Sequence, residues 1–223
     1  LTNSGGNINL LPASRNGYTF GGWYDNAAFT GTPISSFPAM DAASKTFYAK
    51  WSTPNSYTVT YSLNDGTPAG HPATNPNTVT SYTVLDPNVT LAPATRTGYD
   101  FEGWYDNAAL SGPPIAGFPT SDAVNKHFYA KWSAEKNYTV QWNLNDSAPA
   151  GHPASNPNTV TSYTVLDADV TIQPATRTGY TFLGWYDNAG FTGTPVTNLH
   201  TMDAENKQYF AKWDSTPISY PIN

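Results

Sequence analysis

The chain has 223 residues, a net charge of −6, 12% charged and 14% aromatic residues, and no cysteine. Its aromatic content can fill cores, which excludes a disordered acidic tail. Ten Lys and Arg against sixteen Asp and Glu argue against nucleic-acid binding, and the lack of Cys excludes disulfide scaffolds, thiol catalysis and Cys-zinc sites.

No apolar run approaches the ~18–20 residues of a membrane span, and no signal peptide opens the chain. No membrane insertion is therefore expected of this segment. Self-similarity organises the rest. Trp23, Trp104 and Trp185 share one register, as do Arg15, Arg96 and Arg177, and Trp51, Trp132 and Trp213; the period is 81 residues. Residues 57–132 match residues 138–213 without a gap, with 50 identities in 76 positions. The expected domains are an incomplete first repeat at 1–51, full repeats at 52–132 and 133–213, and the start of a further unit or donor strand at 214–223.

Within the second repeat, taken in chain order, Tyr57, Val59, Tyr61 and Leu63 alternate with Thr58, Thr60 and Ser62, which predicts a half-buried strand. Asn64–Asn77 is dense in Asn, Gly and Pro and reads as a loop. Val79–Val84 and Val89–Leu91 read as short strands, and Thr95–Gly98 as a turn. In the following strand, Tyr99, Phe101 and Gly103 share a face and are identical in all three copies. Asp106 and Asn107 are placed to cap one helical turn, and Asp122 another. In the last strand, Phe128, Ala130 and Trp132 face one side, Tyr129 and Lys131 the other. Neighbouring repeats are separated by only five residues, about 17 Å at most.

The segments Gly17–Asn26, Gly31–Ile34 and Phe47–Trp51, with Tyr57–Tyr61 and Thr95–Tyr99, resemble the Listeria–Bacteroides repeat, the internalin B-type B-repeat. The resemblance spans nearly the whole chain in three successive copies. It implies a mainly β fold of tandem β-grasp-like repeat units joined by short linkers. It also implies an extracellular setting, bacterial cell-surface or secreted, in which such units serve as stalks or adhesive regions. The family offers no catalytic residues to carry over. The long proline-rich loop Asn64–Asn77 departs from shorter family members.

The residues themselves offer little chemistry. His71 and His152 share a Gly-His-Pro register with no second His or Cys at ligand spacing, whereas metal sites need three or four convergent donors. The recurring Asp residues sit beside Asn, Gly, Pro or Ala, where turn and cap roles account for them. Glu never recurs between copies, which weakens any repeated acid–base pair and any Lys crosslink that needs a carboxyl shuttle. No catalytic residue, metal site or cofactor is expected, and the chain is not read as an enzyme.

Two readings of the aromatics stay open. Strict alternation puts Trp23, Trp104 and Trp185 on the wet face beside Asp25, Asp106 and Asp187, where they could stack on a glycan or meet a partner. A bulge at Gly22, Gly103 and Gly184 would instead turn each Trp into the core. The single arginine register lies either over an aromatic ring or against a carboxylate across the turn. The leading expectation is a structural and interaction segment of a bacterial tandem-repeat stalk or adhesin, a carbohydrate-binding module being the alternative. Its partners would be other copies or adjoining repeats, or a host or cell-surface protein or glycan. A sharper expectation concerns Ile218, Ser219, Tyr220, Pro221, Ile222 and Asn223: if the chain is a whole subunit, as a donor strand they would complete the first repeat of another copy and build a head-to-tail filament, whereas in a slice of a longer chain, the preferred reading, the preceding residues supply the missing strand.

Overall fold

The computed structural model describes residues 6–41, 43–148 and 151–214. The donor-strand segment Ile218–Asn223 lies outside the described residues. The described residues fall into two compact units. One comprises those within Leu1–Leu63, Pro76–Pro93 and Gly103–Lys131, the other those within Asn64–Asn75, Ala94–Glu102 and Trp132–Asn223. The protein is mainly β; the only helical elements among the described residues are the 3-10 turns Thr120–Asp122 and Thr201–Asp203. Among the described residues no helix is long and apolar enough to cross a membrane.

Each full repeat builds one four-stranded sheet. In the third repeat the opening strand Tyr138–Asn143 pairs antiparallel with Ser162–Tyr163 and parallel with the last strand, Lys207–Trp213. The last strand pairs antiparallel with Phe182–Tyr186. The second repeat repeats this order with Tyr57–Ser62, Ser81–Tyr82, Lys126–Trp132 and Phe101–Tyr105. Two-residue strands add small antiparallel pairs: Val170–Thr171 with Asn198–Leu199, and Ala154–Ser155 with Thr176–Arg177. The segment Asn64–Asn77, read as a loop, thus holds one such strand, Ala73–Thr74, paired with Thr95–Arg96.

The opening strands form because β-branched and aromatic residues alternate with Thr, so that one face is buried and the other wet. The buried face meets a core of Val140, Tyr163, Ile172, Ala175, Trp185, Leu199, Tyr209 and Ala211. In the second repeat Val59, Tyr82, Leu91, Ala94, Trp104, Phe118, Phe128 and Ala130, all 81 positions earlier, are buried likewise. In the first repeat the described residues hold no strand equivalent to Tyr57–Ser62. Trp23, Phe37, Phe47 and Ala49 are therefore only half-buried.

Two local expectations are corrected. Asp106 and Asn107 cap no helical turn: the Asn107 side chain brackets a loop, donating to Ser111 O at 3.0 Å and accepting from Ser111 N at 3.2 Å. That bracket satisfies locally the groups a helix would have paired. Asp122 ends its 3-10 turn instead of capping it; the N-cap position is Pro119, and the Asp122 carboxylate pairs with Lys126 at 2.5 Å.

Candidate functional site

The third strand of each repeat carries the tryptophan on which the glycan reading rested. Opposite the last strand, Phe182 faces Trp213 but Gly184 faces Lys212, so the register shifts by one residue between them. Phe20 and Gly22 show the same shift in the first repeat. The glycines at this step have φ of +110, +130 and +128, a conformation that side-chain-bearing residues adopt only with strain. The extra residue carries Trp185 to the same side as Phe182, and the rings meet edge-on at 5.7 Å.

In the two full repeats burial then leaves no ring face for a sugar. Trp104 and Trp185 are each 1% exposed, and Trp23 is half-buried. The indole N–H groups donate to equivalent carbonyls: Leu11 at 2.8 Å, Ala92 at 2.9 Å and Gln173 at 2.8 Å. The expectation of glycan stacking is therefore corrected for Trp104 and Trp185. A core this small needs its largest side chains inside, and the bulge delivers them there.

Asp25, Asp106 and Asp187 remain exposed, each accepting a hydrogen bond from the next Asn at 2.9, 3.1 and 2.8 Å. They line a groove that recurs in every repeat, along the start of the last strand. Its volume is about 460 Å³ in the first, 540 Å³ in the second and 330 Å³ in the third repeat. One rim is an ion pair with the lysine four residues on: Asp41 with Lys45, Asp122 with Lys126 and Asp203 with Lys207, at 2.5 to 2.6 Å. Burial alone would lower the Lys207 ammonium, but hydrogen bonds to Asp203 and Glu205 outweigh it and hold the pKa above the ordinary lysine value. Two wall positions differ in every copy: Ser36, Gly117 and Asn198 at one, Thr46, His127 and Gln208 at the other. The ion pair recurs in every copy while these wall residues do not.

The arginine register proves structural. Arg96 is 6% exposed and lies 4.1 Å over the Tyr99 ring. Its guanidinium donates to the carbonyls of His71 at 2.9 Å, Thr67 at 3.1 Å, and Asp65 and Pro68 at 3.3 Å. Arg177 repeats this over Tyr180, with carbonyls of His152, Asp146 and Ala148. The loop curls around a cation that substitutes for the hydrogen bonds its carbonyls would make in a regular sheet. Asp65 and Asp146 spend their carboxylates on the N–H groups of Ala73 and Ala154, at 2.7 and 2.8 Å. Arg15 has a Tyr18 ring 3.8 Å away but is exposed.

Sequence reasoning missed how repeats meet. The linkers are stitched to the preceding turn: Asn55 N–H donates to Gly17 O at 2.7 Å, and Lys136 N–H to Gly98 O at 2.8 Å. Val84 sits on Gly17 and Val165 on Gly98. The legible signal was the pairing of an invariant Gly two residues after each Arg with a Thr-Val-Leu-Asp phrase identical in both full repeats.

The comparisons with known proteins agree with this architecture. The family model of the Listeria-Bacteroides repeat domain matches residues 2–50, 57–131 and 138–212. A protein of Evansella cellulosilytica named "Putative membrane protein" is 28% identical over 92% of this chain and 29% of its own length. Internalin H of Listeria monocytogenes is 38% identical over 56% of this chain and 21% of its own length. The chain thus spans less than a third of these relatives. No solved structure matches it. Three family matches covering most of the sequence, on three copies of one strand plan, make this chain a member of the Listeria–Bacteroides repeat family.

Proposed function

We propose that the chain is a structural and interaction segment of an extracellular bacterial stalk or adhesin, with no catalytic role. The observation that carries this is the recurrence of one core in successive repeats, while residues at the groove wall change from copy to copy. Constant cores let each repeat fold alike, and variable walls meet partners. Each full repeat is read as β-grasp-like. Its sheet order runs third, last, opening, second strand, with the opening and last strands parallel at the centre, and the loop Asn64–Asn77 occupies the connection between the first two strands.

The test is made on the protein in its own bacterium. Antibodies to residues 57–213 should label intact cells or the culture medium, and external protease should remove the label. Label confined to lysed cells would overturn the reading.

A second reading, head-to-tail strand addition, is favoured by one feature. The strand Tyr48–Trp51 pairs with Phe20–Tyr24, and among the described residues its other edge has no strand partner. The equivalent strands Lys126–Trp132 and Lys207–Trp213 pair on both edges. An open edge accepts an added strand. Light scattering of the 223-residue chain should show mass rising with concentration; a strictly monomeric chain at millimolar concentration would overturn this second reading.

A further inference from the structure

Two of the three equivalent turns that follow the arginines are covered in the same way. In the second repeat the Asp86 carboxylate accepts the Thr83 N–H at 2.6 Å and the Thr83 hydroxyl at 3.0 Å, closing a turn that includes Val84. In the third, Asp167 holds Thr164 at 2.7 and 3.1 Å, in a turn that includes Val165. A buried threonine pins each turn from behind: Thr120 donates to Asp86 O at 2.6 Å, and Thr201 to Asp167 O at 2.8 Å. The valine is thus presented on a braced support.

Its seat is a glycine of the preceding repeat. Gly17 and Gly98 are buried, with φ of +75 and +80. A Cβ on Gly17 would collide with both methyl groups of Val84, and one on Gly98 with both methyl groups of Val165. Only glycine combines this left-handed backbone with so close an approach.

Gly179 stands in the same register, with φ of +82. It is half-exposed, and among the described residues nothing would lie within 4 Å of a Cβ there. His152 is exposed where its equivalent His71 is buried. A concavity of about 320 Å³ opens beside this turn, lined by Asn145, Arg177, Tyr180, Phe191 and Trp213.

We propose that this face is a docking surface for one further full repeat of the same kind, which seats the valine of its Thr-Val-Leu-Asp turn on Gly179. The occupant follows from continuity: the same seat is filled twice in this chain by the same element. An unaltered second copy is the wrong occupant, because its Val84 and Val165 already sit on its own Gly17 and Gly98. The inference goes beyond the stalk reading and holds whatever partner the grooves meet.

The test extends the full chain by repeating residues 133–213 after Trp213. In the extended protein the Gly179 and Tyr180 amide resonances should shift, while amides of the Trp185 core stay in place. Spin-label distances between the third and added repeats should be as narrowly distributed as those between the second and third. Changing the added copy's valine to Asp should broaden the former at least twofold, and Val165→Asp should broaden the latter. Unshifted Gly179 and Tyr180 resonances would overturn the proposal. So would a broad third-to-added distribution with the valine intact, or a narrow one indifferent to Val→Asp. If the Asp variant fails to fold, the resonances of the unsubstituted extended chain still decide.

Discussion

The indole N–H of Trp104 donates to the carbonyl of Ala92 at 2.9 Å, twelve residues earlier in the chain. In the same repeat the Asn77 side chain grips both backbone groups of Ala92, at 2.8 and 2.9 Å. Asn158, Gln173 and Trp185 reproduce the arrangement. A large side chain is buried only when its polar tip is satisfied. The loop supplies the acceptor, and the glycine bulge aims the ring.

Trp104→Ala should therefore act on stability. Loss of a fully buried indole and its hydrogen bond should cost about 3–5 kcal/mol, read as a lowered urea midpoint of the second repeat. Soluble oligosaccharides should leave the tryptophan fluorescence of the unsubstituted protein unchanged. A glycan-dependent quench that Trp104→Ala abolishes without unfolding would reverse this assignment.

The bulge itself is testable at Gly103. There φ is +130, and an added Cβ would collide with Pro114. Gly103→Ala should cost about 2–4 kcal/mol from backbone strain and overpacking together. Gly112→Ala has φ of +85 but open space around it. That variant should cost about 1 kcal/mol from the backbone alone. Equal losses at the two sites, by chemical denaturation, would refute the packing argument.

The two arginine environments predict opposite outcomes for one substitution. Arg96→Met strips four loop carbonyls of their donor in a buried setting and should cost about 2–4 kcal/mol. Arg15→Met removes an exposed ring contact and should cost less than about 1 kcal/mol. Hydrogen exchange of the Ala73 amide should rise in the first variant and not in the second.

Tyr209 makes the third repeat sensitive to alkali. Burial pushes its phenol up to about 12. The unfolded value is near ~10. The folded state favours the protonated phenol, so its contribution is complete below pH ~10 and is lost as pH rises towards about 12. Phe occupies the equivalent positions 47 and 128, so Tyr209→Phe should fold normally at pH 7. By pH 11 the variant should have gained about 1 kcal/mol relative to the unsubstituted chain, measured by urea melts at the two pH values. A constant difference would contradict the buried phenol.

Pairs of substituted residues show how repeats absorb change. Tyr61 and Trp142 differ in size, yet the Tyr61 hydroxyl donates to Val79 O at 3.2 Å and the Trp142 indole to the equivalent Val160 O at 2.8 Å. Trp142 stands in the register of Tyr61, so the sequence carries two ring sizes at this position. That both rings reach one carbonyl became visible only with the strand and loop in place.

Period and polarity were legible at the level of residues. The 81-residue spacing, the alternation Tyr57–Val59–Tyr61 and the glycine before each Trp established repeated β units with aromatic cores, because these depend on neighbours along the chain. Which way Trp104 pointed, what Arg96 held and where Val165 sat were decided by tertiary structure. Each depends on a partner brought near by folding: a one-residue register shift, a ring of carbonyls 25 to 31 residues away, and a glycine in the preceding repeat. Local pattern fixes what a side chain prefers, but only closure of the sheet selects the contact that satisfies it.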